Sequence, residues 1–226
     1  VNPTVGGLLE EGMSNVADPV EARREAQILL GHVLGVSRAW LAAHRDEPAT
    51  AASAATFREF VQRRSAGEPV AYLVGRREFY GLDFRVTPDV LIPRADTETL
   101  IDTALEKLTL HAGADVLDLG TGSGCVAITI AHERAAASVT AVEISAAALS
   151  IARENAEAIG VNVEFVQARW FDGLAGRRFD LIVSNPPYVA RGDPHLQQGD
   201  LRFEPAAALA SGKDGLDDIR IIVAAA

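Results

Sequence analysis

The chain is poor in the residues that would build a disulfide framework: its 226 residues contain one cysteine, Cys125. An internal disulfide is therefore excluded, and Cys125 is expected to behave as a small buried hydrophobe. Long hydrophobic runs are also missing. No stretch is long and apolar enough to cross a bilayer and no signal-peptide pattern opens the chain, so the expectation is a cytoplasmic protein with no membrane contact. Positive charge is scarce, with 21 Lys and Arg against 31 Asp and Glu and a formal net charge of −10. That balance argues against broad, non-specific binding to nucleic acid, which needs cations for its phosphate contacts. Arg58, Arg63, Arg64, Arg76 and Arg77 read as a solvated helix face and loop, with a local basic face as the alternative. The five histidines, at 32, 44, 111, 132 and 195, are scattered, so no metal-ligand cluster is expected. No internal repeat or long low-complexity tract is visible.

What is present is a change of periodicity along the chain. Residues 1–68 read as all-helical. Asp18-Pro19-Val20-Glu21 is a helix start, with an acceptor side chain, a first-turn proline and a glutamate three residues on. Ala22, Ala26, Leu29, Leu30, Val33 and Leu34 follow at helical spacing and Gly35 ends the run. A short helix over 38–43 and another over 51–65, with Phe57, Phe60 and Val61 on one face, complete this part. Residues 67–93 look like a connector in which Glu78-Phe79-Tyr80 and Asp83-Phe84-Arg85-Val86 flank Gly81 as a hairpin. A helix is predicted over 96–110. Strand and helix patterns then alternate over 114–119, 125–134, 138–144, 146–159, 163–168 and 179–184, and a helix closes the chain from 216 to 226. The alternation predicts an α/β fold with a parallel sheet, helices on both faces and a ligand crevice at the C-terminal ends of the strands.

Two motifs sit at such strand ends. Val116-Leu117-Asp118-Leu119 runs into Gly120-Thr121-Gly122-Ser123-Gly124 and then into a helix. Glycines there let the backbone turn sharply and let a ligand approach closely beside the free N–H groups of a helix start. Glu143, near the end of the next strand, is placed to accept hydrogen bonds from both hydroxyls of a ribose; a helix-capping acid before Ser145 is its plainer reading. The second motif, Asn185-Pro186-Pro187-Tyr188, follows the apolar run 179–184. Its prolines fix the turn and leave carbonyls without competing donors, Asn185 adds an acceptor and Tyr188 an aromatic wall. Such a pocket suits a flat NH2 group on an amide or a nucleobase, and the order of the motifs is that of S-adenosylmethionine chemistry.

With those residues in view the chain resembles the release factor glutamine methyltransferases of the HemK/PrmC type, over nearly its whole length. The resemblance is carried by Gly67-Glu68-Pro69-Val70-Ala71-Tyr72, Glu78-Phe79-Tyr80-Gly81-Leu82, Leu91-Ile92-Pro93-Arg94-Ala95-Asp96-Thr97-Glu98, the glycine loop, the Asn185–Tyr188 motif, Phe203-Glu204-Pro205 and Gly212-Lys213-Asp214-Gly215-Leu216-Asp217. Asn-Pro-Pro-Tyr alone says only amino-methyltransferase; the Ile-Pro-Arg segment is the more specific. The resemblance implies a helical substrate-binding domain over 1–68, a hairpin connector over 69–95 and a Rossmann-like methyltransferase domain over 96–226. It implies S-adenosyl-L-methionine as donor and S-adenosyl-L-homocysteine as product, with Gly120, Thr121, Gly122, Ser123, Gly124, Glu143, Trp170 and Asn185 at the donor. Asn185, Pro186, Pro187 and Tyr188 would bind the substrate, with Asn185, Pro186 and Tyr188 catalytic. The substrate would be the glutamine of the Gly-Gly-Gln loop of class-one peptide chain release factors.

Several features depart from that pattern. The family's sheet has seven strands, whereas four core strands are readable here, so the expectation is a fragment that lacks the C-terminal strands. Arg169 stands where the family usually has Asp, and either pairs with Glu143 or points away. Glu143 replaces a more usual Asp, and Ala95 a proline. The alternatives are an amino-methyltransferase acting on adenine or guanine in DNA or RNA, and a binding module for release factor or S-adenosylmethionine without turnover.

Overall fold

The computed structural model describes residues 2–14, 19–108 and 113–226. Asp18, His111 and the end of the helix predicted over 96–110 lie outside the described residues. The chain divides into two compact units, Val1–Val74 and Gly75–Ala226.

The first unit is helical: α1 (Val5–Met13), α2 (Pro19–Leu34), α3 (Arg38–Ala43), α4 (Ala51–Ser65) and α5 (Val70–Val74). The hydroxyls of Thr4, Ser37 and Thr50 cap α1, α3 and α4 by accepting the N–H of Gly7, Trp40 and Ser53, each at 3.1 Å. Leu8, Leu29, Leu30, Leu41 and Phe57 are fully buried in its core. Gly12 permits the closest approach, since a Cβ there would come within 2.7 Å of the Phe57 ring. The connector pattern over 67–93 is corrected at its start. Residues Val70–Val74 form a short helix, because Leu73 and Val74 are drawn into the apolar core of the first unit.

The second unit opens with the predicted hairpin, β1 (Arg76–Phe79) and β2 (Leu82–Arg85), paired antiparallel with Phe79 opposite Leu82. Tyr80 belongs to the turn and not to the first strand: Tyr80 and Gly81 have φ of +52° and +76°, the backbone of a two-residue turn that matches strand twist. A 3-10 turn over Ala95–Thr97 leads into α6 (Glu98–Leu108). There follow β3 (Asp115–Leu119), α7 (Cys125–Glu133), β4 (Ser138–Glu143), α8 (Ala146–Ile159), β5 (Glu164–Gln167), β6 (Leu181–Ser184), α9 (Ala206–Leu209) and α10 (Asp217–Ala225). The four strands form one parallel sheet in the order β5-β4-β3-β6, and β6 has no second strand neighbour among the described residues.

Side chains alternate across this sheet as a strand period of two requires. Val116, Val139, Ala141 and Val183 pack with α6, α7 and the hairpin residues Phe79 and Phe84. Leu117, Leu119 and Val142 face the other way, toward Leu174 and Ile222 of α10. Both faces are thus covered, which is why these strands read as continuous apolar runs. The fold is a Rossmann-like α/β arrangement, and β3 and β6 are hydrogen-bonded neighbours whose C-terminal ends lie in register at Leu119 and Ser184.

Candidate functional site

The glycine loop leaves β3 with Gly120, Gly122 and Gly124 at φ of +74°, +57° and +83°, a region that side-chain-bearing residues rarely enter. Gly124 is also pinned by packing, since a Cβ there would lie 2.6 Å from Ile128 Cδ1 and 3.1 Å from Ala152 Cβ. The loop is tied down on three sides. The N–H groups of Gly120 and Thr121 donate to the Val142 carbonyl at 2.8 and 3.0 Å. Gly122 N–H donates to Glu143 Oε2 at 3.0 Å, while Ser145 N–H donates to Glu143 Oε1 at 2.9 Å. Asn155 of α8 donates to the Ser123 carbonyl at 2.9 Å and to the Arg85 carbonyl at 3.0 Å, and its Oδ1 accepts Arg85 N–H at 2.7 Å. Glu143 therefore braces the loop as well as bordering the space beside it, with lone pairs left on both oxygens.

Asp118 lies beneath the loop, fully buried, and its carboxylate accepts the Thr121 hydroxyl at 2.6 Å. Burial pushes its pKa up to about 7; the Thr121 and Ala127 hydrogen bonds oppose the rise and the Glu143 charge adds to it. Cys125 is partly buried at the start of α7. Burial pushes its thiol up to about 12, which leaves it protonated and inert at neutral pH.

The second motif begins where β6 ends. The Ser184 hydroxyl donates to the Leu119 carbonyl at 2.7 Å and joins the ends of β3 and β6. Asn185 Nδ2 donates to Thr97 Oγ1 at 3.4 Å, which leaves its Oδ1 uncommitted. The Pro186 carbonyl likewise accepts no hydrogen bond among the described residues. The chain beyond is held by pairing of Val189 with Ala210 and by Arg191 N–H donating to the Gly212 carbonyl at 2.8 Å. The Ile-Pro-Arg segment is locked to the same stretch: buried Glu204 pairs with Arg94 and accepts Ile92 N–H at 3.1 Å.

Trp170 follows β5 with φ +50°, and its ring stands over the glycine loop, 3.3 Å from where a Cβ on Gly120 would lie. Its indole N–H donates to Asp218 Oδ1 at 3.2 Å. Arg169 points to the same carboxylate, at 3.5 Å; of the two orientations open to it, the one away from Glu143 is adopted.

These groups border one cavity of about 400 Å³. Of the expected site residues, Gly120, Thr121, Gly122, Ser123, Glu143, Trp170, Asn185 and Pro187 line it. Gly124, Pro186 and Tyr188 do not, and Tyr188 is 65% exposed. The aromatic wall expected from Tyr188 therefore faces outward, while the indole of Trp170 supplies one inside. Thr97, Asp118 and Asp218 also line the cavity and carry no role in the sequence reading; Thr97 belongs to the Ile-Pro-Arg segment and Asp118 to the strand before the glycine loop. S-adenosylmethionine brings a flat base, a ribose diol, an ammonium and a sulfonium, and the residues present fit it. They offer a glycine cradle, a carboxylate at the end of β4 and an indole face.

The family model described as the PrmC N-terminal domain matches residues 8–75, and that of the methyltransferase small domain matches residues 96–211. A release factor glutamine methyltransferase from Xylella fastidiosa is 55% identical over 205 residues, covering 90% of this chain and 74% of that protein. One of the same name from Bordetella pertussis is 54% identical over 202 residues, covering 89% and 75%. Among solved structures, the catalytic domain of hMettl16 in complex with MAT2A 3'UTR hairpin 1 is similar with a TM-score of 0.50 at 17% identity, over 80% of this chain and 64% of that one; that likeness concerns the fold alone.

Proposed function

The chain belongs to the release factor glutamine methyltransferase family, and from that premise we propose that it methylates the side-chain amide nitrogen of the Gly-Gly-Gln glutamine of class-one peptide chain release factors. S-adenosylmethionine, when bound, supplies a methyl group on an electrophilic sulfonium and leaves as S-adenosylhomocysteine. Gly120–Ser123, Glu143 and Trp170 hold the donor.

An amide nitrogen is a weak nucleophile because its lone pair is shared with the carbonyl, and no side-chain base removes its proton at neutral pH. Orientation and charge are what the protein can contribute. Asn185 Oδ1 and the Pro186 carbonyl each accept one N–H of the glutamine amide and turn its nitrogen toward the donor. The same two oxygens stabilise the positive charge that grows on nitrogen during transfer. The methylated, cationic nitrogen is acidic enough to lose its proton to water. Tyr188, exposed beside this motif, is available to pack on the flat amide and exclude water.

The observation that carries the reading is Asn185 at the end of β6. Its N–H is engaged by Thr97 and its Oδ1 is free, in the same cavity as the glycine loop and Glu143. The helical unit is the part we assign to docking of the protein substrate. No helix among the described residues is long and apolar enough to cross a membrane, and we infer a cytoplasmic setting, where termination takes place.

Transfer of labelled methyl from S-adenosylmethionine tests the proposal. The acceptors are a purified class-one release factor, its Gln→Ala form in the Gly-Gly-Gln loop, DNA and RNA. Label in the first alone is expected. Label in nucleic acid would replace the substrate assignment, and donor binding without label anywhere would reduce the chain to a binding module.

A further inference from the structure

Trp170 holds a backbone conformation, φ +50°, that a side-chain-bearing residue seldom adopts unaided, so its surroundings must fix it. The side chain carried by this backbone is held by Asp218 in the first turn of α10. Its Oδ1 accepts the indole N–H at 3.2 Å. Asp218 is itself clamped twice by Ser211: the Asp218 N–H donates to Ser211 Oγ at 2.9 Å, and the Ser211 hydroxyl donates to Asp218 Oδ2 at 2.8 Å. The Arg169 guanidinium, 3.5 Å away, supplies a counter-charge to a carboxylate that is only 17% exposed.

We propose that Asp218 is a positioning residue of the donor pocket. By accepting the indole N–H it keeps the Trp170 ring over the glycine loop as a preformed wall for the adenine of the donor, and so makes donor affinity depend on the start of α10. The proposal rests on the reading of Trp170 as part of the donor site. A ring held in place before binding need not be ordered during it.

The test is calorimetric titration of the full chain with S-adenosylhomocysteine. Asp218→Ala should weaken binding about tenfold, and Asp218→Asn, which keeps an oxygen acceptor, should restore most of the affinity. Trp170→Phe, which lacks the N–H, should weaken binding by a similar factor. In that background Asp218→Ala should add less than about twofold, because the two residues act as one unit. If Trp170→Ala leaves affinity unchanged, the donor-site reading of Trp170 fails and the proposal falls with it. If Trp170→Ala weakens binding but Asp218→Ala does not, or costs its full factor in the Phe background, the positioning role alone is overturned. Should Asp218→Ala fail to fold, Trp170→Phe and Asp218→Asn decide the matter: wild-type affinity in the first, or a tenfold loss in the second, overturns the proposal.

Discussion

Asn185 uses its amide N–H on Thr97 and keeps its carbonyl oxygen free, so truncating it should remove chemistry and leave packing largely alone. Asn185→Ala is expected to lower methyl transfer to the release factor by two orders of magnitude or more, roughly the loss seen when one preorganised polar group of an active site is removed. Its thermal midpoint should stay near that of the wild type; unchanged turnover would take the pocket out of the mechanism. Asp118 makes a different kind of prediction. Its folded pKa, about 7, lies above its ordinary 3.8, so the folded state binds more protons than the unfolded chain between those values. Stability must then fall as pH rises across that window, with the loss complete above about 7. Asp118→Asn keeps an oxygen for the Thr121 hydroxyl and cannot ionise, so its stability relative to wild type should rise between pH 5 and pH 8 in denaturant titrations. An unchanged difference between those two pH values would show that the carboxyl is not the buried acid described. Of the site residues expected from the sequence, Gly120–Ser123, Glu143, Trp170 and Asn185 come together at one cavity, and all but Trp170 lie in or beside compact motifs at strand ends. What was not readable is the set of contacts that hold them, which act over distance: Trp170 reaches Asp218 across 48 positions, Arg85 reaches Asn155 across 70 and Asn185 reaches Thr97 across 88. No local spacing records such a pairing.

At the scale of elements, periodicity located α2, α3, α4 and the alternation from β3 to β6, because each buries an apolar stripe or run that the sequence displays. It missed α1 as a separate helix and α5 altogether. Three of the nine residues of α1 are glycine, and glycine is a poor helix former; tight contact with Phe57 and Ala26 stabilises it instead. The five-residue α5 is too short to show a period. One polar side chain joins three elements of the second unit: buried Asn155 of α8 bonds both backbone groups of Arg85 in β2 and the carbonyl of Ser123 in the glycine loop. In sequence it sits among Ile151, Ala152 and Ala156 and looks like a break in an apolar face. Asn155→Leu would leave those three backbone groups without partners inside the protein. A loss of about 2–3 kcal/mol is expected from the desolvated groups left behind, read from urea unfolding. Weaker binding of S-adenosylhomocysteine should accompany it, since the loop loses one of its ties. A variant as stable as the wild type would mean that water reaches these groups.

For the whole molecule the decisive quantity is charge. The net charge of −10 leaves room for a local basic face, and the arginines that could have formed one are largely neutralised where they stand. Arg58 pairs with Glu11 at 2.7 Å, Arg63 with Glu68 at 2.5 Å, Arg64 with Glu25 at 2.8 Å and Arg76 with Asp83 at 2.9 Å. The exposed pairs among them, Arg58–Glu11 and Arg76–Asp83, contribute little to stability, but each of the four occupies a guanidinium that a phosphate would otherwise bind. Affinity for a nucleic-acid backbone grows with the number of phosphates neutralised and falls steeply with salt. A chain with this balance should therefore bind a random RNA or DNA oligonucleotide no more tightly than about 10⁻⁴ M at physiological ionic strength, measured by fluorescence anisotropy. A protein substrate escapes that limit, because a loop presenting one glutamine amide needs a shaped polar pocket and not a cationic track. Micromolar binding of RNA, with a salt slope corresponding to several phosphate contacts, would show that the acidic carboxylates do not shield those arginines. The nucleobase alternative for the flat NH2 group in the Asn185 pocket would then regain the electrostatic support it lacks, and label transfer to RNA would decide it.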